Sequence, residues 1–238
     1  MQSCSKNMVI AFISVILIAT SMGCIETPAA APALLEESAL AKYGWSQEGD
    51  IEYNIIQHNI SDSNSISFNS TVVNYKNNRL AADIQGQAND FRESYNIPFS
   101  PEIPMIDAWI STNTITLPAG ATLPTNLISK MTNSKVNDLS EQNSIRNLSK
   151  IETRELTMKD GSVIEVSIYS GLAPSQNLSL NILGIVAAFE KDDSSIIVIG
   201  VTPNGSLPVK VGGVEADLFS IDGNREIEEM LELVTTIE

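Results

Sequence analysis

Alternation of apolar and polar residues is the main pattern along the chain, and it predicts β-strands. Ile51–Ile55 and Ile66–Val72 both alternate, and the turn-forming residues Ser61–Asn64 lie between them. These two runs therefore predict a first pair of strands. A further strand is predicted over Ala108–Leu117.

Two hairpins in the C-terminal half give the clearest signal. Asp160-Gly161 separates two alternating runs, and this dipeptide favours a tight turn between paired strands. A second hairpin is predicted to pair Leu180–Phe189 with Ile196–Val201, both of which are apolar on both sides. Strands of that kind are covered on both faces, so these two are expected at the centre of the sheet.

Three helices are predicted around these strands. The first covers Ala33–Tyr43 and ends at Gly44, the second starts near Pro124, and the last runs from about Arg225. Asn224 is the expected N-cap of the last helix. Its acidic residues are expected to face water: Glu226, Glu228, Glu229 and Glu232. The pattern predicts one α+β domain with a mainly antiparallel sheet, flanked by an N-terminal, a middle and a C-terminal helix.

The N-terminal region indicates export. An apolar run, Met8–Gly23, is short for a membrane span and is followed by Cys24 and an Ala/Pro-rich stretch. We expect residues 1–23 to be a signal peptide, residues 24–32 a lipidated cysteine and spacer, and residues 33–238 the extracytoplasmic domain. Two acyl chains on Cys24 would hold the protein on the outer face of the cell membrane. An uncleaved signal anchor and ordinary secretion are the alternatives.

Composition excludes several classes of function. The formal net charge of −15 disfavours binding to nucleic acid. The two cysteines are Cys4 and Cys24, so a chain cut before Cys24 has no disulfide and no thiolate metal site. His58 is the single histidine, which disfavours a zinc site and most general-base designs. We expect no metal and no cofactor.

The remaining motifs carry no specific chemistry. Gly200–Ser206 begins like a phosphate-binding loop, but Ser206 replaces the required lysine and Pro203 lacks a backbone donor. This stretch is predicted to be a turn after a strand. No catalytic residue is proposed. Five Asn-x-Ser/Thr sequences are candidate glycosylation sites, with the last expected to be best placed, in a turn, and the first two in strands: Asn59, Asn69, Asn147, Asn177 and Asn204.

The stretch Gly23-Cys24-Ile25-Glu26 resembles the processing site of lipoproteins from methanogenic archaea. The order of elements after it is similar to that of an uncharacterised group of archaeal surface lipoproteins, including Gly44-Trp45 after a short helix, then Ile196–Pro203 and a final helix. The resemblance implies a membrane-attached protein of unknown molecular role. The hairpin-then-helix ending also resembles the fold of PsbP-like proteins, which bind partners and are not enzymes.

The sequence favours a non-catalytic extracytoplasmic lipoprotein that binds or supports another envelope component. A small-ligand-binding lipoprotein is the first alternative, and it predicts an apolar pocket with a few convergent polar groups. A carboxylate-dependent hydrolase is the second, and it predicts two acids in one cleft with opposed pKa shifts.

Overall fold

The computed structural model of the protein describes residues 28–61, 64–97, 107–118, 145–175, 178–211 and 214–238. In this part of the chain, helices bracket antiparallel strands, as the sequence predicts. The elements, in chain order, are α1 (Glu37–Tyr43), β1 (Trp45–Ser61), β2 (Asn64–Asn77), α2 (Asn78–Ser94), β3 (Trp109–Thr116), β4 (Arg146–Thr157), β5 (Val163–Ser175), β6 (Leu178–Lys191), β7 (Ser194–Val211), β8 (Val214–Ile221) and α3 (Gly223–Val234).

All paired strands are antiparallel, and seven of them follow the order β1-β2-β3-β7-β6-β5-β4. The eighth, β8, pairs with the C-terminal half of β7. The prediction of an α+β domain with an antiparallel sheet is therefore confirmed. The three predicted hairpins, β1–β2, β4–β5 and β6–β7, are present.

The strands β6 and β7 lie at the centre of the sheet and are covered on both faces, as predicted. Ile196 and Val198 of β7 belong to the main core, which also contains the buried faces of the three helices. Ile197 lies between them in sequence and points to the opposite face, where it packs with Ile115 of β3. This alternation follows from the two-residue period of a strand.

Helix α3 packs its apolar stripe on the sheet, and Met230 is completely buried there. The predicted C-terminal helix is confirmed, but its predicted N-cap is wrong. The cap is Asp222, whose carboxylate accepts a hydrogen bond from the Arg225 amide at 3.3 Å. Helical structure begins at Gly223, so Asn224 already belongs to the first turn.

Helix α1 is shorter than predicted because residues 33–36 are not helical. Its predicted end is correct. Gly44 adopts a left-handed conformation with φ of 71°, and its carbonyl oxygen accepts hydrogen bonds from the amides of Asn78 and Arg79. These bonds connect the end of α1 to the start of α2.

Helix α2 was not predicted from the sequence. Its buried residues follow a helical spacing but are few: Leu80, Ile84, Ala88 and Phe91. Asn77 caps the helix by accepting a hydrogen bond from the Leu80 amide at 2.9 Å. The helix predicted from Pro124 lies outside the described residues, so the middle helix of the described chain is α2.

Candidate functional site: the docked N-terminal segment

The residue with the strongest predicted function, Cys24, lies outside the described residues. The described chain starts four positions later, at Pro28. Residues 28–36, which we call the N-terminal strap, lie on the helix-covered face of the sheet. Ala30, Ala33 and Leu35 are buried there. The sequence predicts a spacer up to residue 32, whereas the structure places the described part of that spacer against the domain.

Polar side chains of β2 and β3 hold the strap along its length. Three of these side chains donate to carbonyl groups of the strap: Asn69 Nδ2 to Pro28 (2.7 Å), Thr71 Oγ1 to Ala31 (3.4 Å) and Thr112 Oγ1 to Ala33 (2.7 Å). Two hydroxyls accept from amide groups of the strap: Thr114 Oγ1 from Ala33 (3.2 Å) and the Tyr75 hydroxyl from Leu35 (3.0 Å). Buried backbone groups need such partners. Residues 28–36 do not form a strand of the sheet. Hydroxyl and amide side chains therefore take the place of the backbone partners that a neighbouring strand would provide.

These contacts explain why threonines occupy buried positions in the sheet. Thr71, Thr112 and Thr114 are at most 2% exposed. A buried hydroxyl without a partner is destabilising, whereas each of these three binds a strap backbone group. Burial also raises the pKa of Tyr75, although the hydrogen bond from the Leu35 amide opposes that shift.

The C-terminus covers the strap from the other side. The backbones of Leu34 and Glu238 exchange two hydrogen bonds, of 3.3 and 2.9 Å. Thr236 Oγ1 accepts from the Glu36 amide at 3.2 Å, and Lys191 Nζ donates to the Ile237 carbonyl at 2.7 Å. The strap is therefore held between the sheet and the last residues of the chain.

The partners of the strap show the direction in which it runs. Pro28 lies at Asn69 and Leu35 lies at Tyr75, so the strap proceeds from the middle of β2 towards its C-terminal end. The first described residue of the strap, Pro28, therefore lies at the end of the sheet where the β1–β2 hairpin projects. Cys24 is four positions earlier in the sequence.

A second cluster of polar groups, at the junction of the helices, is ionic. Arg79 of α2 contacts Glu226 at 2.9 Å and Glu229 at 2.8 Å, both on α3. The prediction that these two glutamates face water is wrong, since Glu226 is 3% and Glu229 8% exposed. Both glutamates lie on the side of α3 that faces α2, where the Arg79 guanidinium compensates their buried charge. Asn77 Nδ2 also donates to Glu226, at 3.0 Å.

Burial raises the pKa of Glu226, and the Arg79 guanidinium opposes this shift through a hydrogen bond and its charge. Every carboxylate oxygen of the pair has a partner within the protein. Glu226 binds Arg79 and Asn77, while Glu229 binds Arg79 and, at 3.1 Å, Arg225 Nε. The arrangement stabilises a helix junction and leaves no carboxylate oxygen directed at a substrate.

An open groove of about 440 Å³ lies beside α3 and contains further carboxylates; it is lined by Arg154, Leu156, Arg225, Glu228, Glu229, Leu231, Glu232 and Thr235. Hydrogen bonds from Lys42 and Tyr43 lower the pKa of Glu232. Glu228 forms an ion pair with Arg154. A hydrolase of the predicted type requires one carboxyl with a raised pKa beside an ionised one, whereas the pKa of Glu232 is lowered.

A small apolar cavity lies on the opposite face of the sheet, and its volume is about 30 Å³; the residues around it are Ile145, Leu148, Tyr169, Gly171, Ile182, Gly184, Ile185, Val186, Ile199, Gly200 and Val201. This volume accommodates about one water molecule. Ligand pockets are typically about ten times larger.

The described residues contain no group of three or more His, Cys, Asp or Glu side chains placed to hold a metal ion. His58 lies in β1, one of the two edge strands. The expectation of no metal and no cofactor remains a prediction. Among the helices that the structure describes, none is long and apolar enough to cross a bilayer.

The candidate glycosylation sites lie in different environments. Asn204 is inside β7 and not in the predicted turn; its side chain is half-buried and accepts a hydrogen bond from the Gly223 amide at 3.2 Å. Asn69 binds the strap, and Asn59 lies in β1. Asn147 in β4 is exposed. Asn177 lies outside the described residues.

The side chains that hold the strap were not predicted from the sequence. In β3, Thr112 and Thr114 alternate with Ser111 and Asn113, so both faces of the strand look polar. An available signal is the pair of threonines on the face that also carries the buried Ile110. Hydroxyls next to an apolar position indicate a buried backbone segment that needs partners.

The fold and the docked strap define a single-domain α+β protein in which an extended N-terminal segment is part of the core. The chain belongs to the family described as Domain of unknown function (DUF6517), which covers residues 32–238. The match begins inside the strap and includes Ala33 and Leu35. No curated protein and no solved structure matched the chain.

Proposed function

We propose that the protein is a lipoprotein attached to the outer face of the cell membrane through Cys24, and that it binds or supports another envelope component without catalysing a reaction. Within its family, we place it among surface lipoproteins of the methanogen type. The proposal rests on the leader, on Cys24 and on the position at which the packed domain begins. It assigns no cofactor and no nucleic-acid partner.

The observation that carries the proposal is the docking of the strap. Pro28 is held by Asn69 at 2.7 Å, and Ala30 is already buried. Pro28 is four positions after Cys24, and an extended chain of that length spans at most about 14 Å. An acylated Cys24 would hold the whole domain close to the bilayer in a restricted orientation.

The carboxylates described above support a non-catalytic role. Glu226 and Glu229 are engaged by Arg79, and Glu232 is engaged by Lys42. These groups stabilise contacts between elements of the fold. The resemblance of the C-terminal elements to PsbP-like proteins is consistent with a role in binding a partner.

Intact-mass analysis of protein extracted from membranes tests the anchor. We expect a chain that begins at Cys24 and carries the added mass of the acyl chains. A Cys24→Ser variant should lack this mass and leave the membrane fraction, because the substitution removes the residue that carries the acyl chains. Cys4→Ser is the matched control, and it should leave both the mass of the mature chain and its location unchanged.

A mature chain without acyl mass, recovered from the soluble fraction, would contradict the proposal. A chain that retains residues 1–23 in the membrane would instead support a signal anchor. Turnover of a substrate by the purified protein would refute the non-catalytic assignment while leaving the anchor intact.

A further inference from the structure

Two large apolar side chains are exposed on the edge strand β1, one strand away from the contacts of the first described residues of the strap. Tyr53 is 67% and Ile55 is 73% exposed. Isolated apolar residues on a surface are common and need no explanation. Tyr53 and Ile55 are different because they pair with residues that bind the strap.

Tyr53 pairs with Thr71, and Ile55 pairs with Asn69. Directly paired residues of an antiparallel sheet point to the same face, with their Cβ atoms about 5 Å apart. Thr71 and Asn69 are the residues that bind the carbonyl groups of Ala31 and Pro28. The exposed pair therefore lies on the same face as the first residues of the strap, one strand away.

The β1–β2 hairpin extends further in the same direction. Strand pairing continues from Ile55 to Ser61, which adds about 20 Å at roughly 3.3 Å per residue. The pairing of β3 with β2 stops at Asn69, so the hairpin projects beyond β3. Pro28, the described residue nearest to Cys24 in the sequence, lies at this level.

The distribution of charge agrees with an apolar contact at this end. The chain carries a formal net charge of −15. From Ile55 to Phe68, however, the sequence contains a single acidic residue, Asp62, and no lysine or arginine. A dense negative charge would repel an anionic lipid surface. The sequence of this segment carries little negative charge, in contrast to the chain as a whole.

We propose that Tyr53 and Ile55 on the β1–β2 hairpin contact the lipid surface and fix the orientation of the anchored domain. This inference rests on the proposed attachment through Cys24. The reach of at most about 14 Å from Pro28 to Cys24 keeps the bilayer near this end of the sheet, where the hairpin projects beyond the described residues of β3. Tyrosine suits the interface between headgroups and acyl chains, where its ring is buried and its hydroxyl remains hydrated.

The opposite edge of the sheet provides a matched control. Ile151 lies on β4, the other edge strand, and is 57% exposed. It has the same side chain as Ile55 and a similar exposure, but it is far from the strap in the order of strands. An effect common to exposed isoleucines would change the solvent accessibility of both positions, whereas membrane contact would reduce the accessibility of position 55 alone.

The test places a nitroxide spin label at one position at a time in the full-length protein. Ile55→Cys, Tyr53→Cys and Ile151→Cys are prepared with Cys4→Ser, with Cys24 retained for acylation. The acylated protein is reconstituted in phosphatidylcholine vesicles, and collision of the label with oxygen and with a water-soluble nickel complex is measured. We expect position 55 to lose most of its accessibility to nickel, position 53 to lose less, and position 151 to remain fully accessible.

Each outcome separates the two proposals. Vesicle-bound protein with equal nickel accessibility at positions 55 and 151 would overturn the membrane-contacting hairpin and leave the lipid anchor standing. Protein that carries no acyl chains and does not remain with membranes would overturn both. Protection of position 55 in native envelopes but not in phosphatidylcholine vesicles would assign the surface to a protein partner and refute the lipid contact.

Discussion

Thr112 Oγ1 donates a hydrogen bond of 2.7 Å to the carbonyl oxygen of Ala33, which is 79 positions away in the sequence. Both residues are almost completely buried. The bond connects the centre of the sheet to the segment that leads towards Cys24. The N-terminal strap is consequently a structural element of the domain.

Replacement of Thr112 by valine should therefore destabilise the protein. Valine preserves the shape of the side chain but leaves the Ala33 carbonyl without its donor. The expected loss in the free energy of unfolding is about 1–3 kcal/mol, measured by urea denaturation. Thr153→Val on the exposed face of β4 is the control, and it should change stability by no more than about 0.5 kcal/mol. Equal effects of the two substitutions would contradict a role for Thr112 in holding the strap.

Arg79 should contribute more to stability than any exposed cation. An Arg79→Met variant keeps much of the side-chain volume but leaves the buried carboxylates of Glu226 and Glu229 without their shared partner. We expect a loss of about 3–5 kcal/mol in the free energy of unfolding. Arg154→Met removes two exposed ion pairs and should have a much smaller effect. If the two variants unfold at the same urea concentration, the helix junction does not depend on Arg79.

The buried carboxyl of Glu226 predicts a specific pH dependence. Its pKa is raised in the folded state, chiefly by burial. Its contribution to stability is therefore fully present below the unfolded-state pKa and is lost as the pH rises through the folded-state pKa. A Glu226→Gln variant lacks this titration. We expect its stability relative to the wild type to be more favourable at about pH 7 than at about pH 4.

Glu152 provides a control with the opposite sign, because a hydrogen bond from Arg154 lowers its pKa. Its contribution is present above the unfolded-state pKa and is lost as the pH falls through the folded-state pKa. A Glu152→Gln variant should therefore lose stability relative to the wild type as the pH increases from about 4 to 7. Unfolding curves at both pH values test the pair, and parallel trends for the two variants would disprove the assignment.

The strands could be predicted from the sequence because their signals are local. Asp160-Gly161 and the alternating runs beside it are sufficient for one hairpin, and Gly161 has the expected positive φ of 86°. The second hairpin turns at Asp192 and Asp193, both with positive φ. Turn chemistry and a two-residue period operate within a few residues, so tertiary structure is not needed to recognise them.

Helix α2 and the buried glutamates depend on distant residues, and the sequence pattern was insufficient for them. The apolar face of α2 contains only four buried residues, one of them Ala88, so its stripe is thin. Glu226 is buried because Arg79, 147 positions away, supplies the compensating charge. An acidic residue in a helix is normally solvated, and no local signal distinguishes this one.

The same limit applies to the N-terminal strap. Its Ala/Pro-rich composition is typical of a spacer. What converts it into part of the core is a set of hydroxyls on β2 and β3 together with the backbone of Glu238. The compartment and attachment predicted from Cys24 depend on the sequence alone, whereas the docking of the strap is visible only in the structure.

Close packing between α3 and β7 leads to a last prediction about two glycines. Their replacement by alanine should change stability in opposite directions. A Cβ atom on Gly200 would lie 3.1 Å from Ile185, 3.2 Å from Ile110 and 3.2 Å from Met230, all of which are completely buried. Gly200→Ala should therefore overpack the core and cost about 1–3 kcal/mol. On Gly86, in the interior of α2, an added Cβ would meet nothing within 4 Å. Gly86→Ala should stabilise the protein by about 0.5–1 kcal/mol, because alanine loses less backbone entropy in a helix. Thermal unfolding followed by circular dichroism measures both changes, and a stabilising Gly200→Ala would show that α3 does not pack this closely on β7.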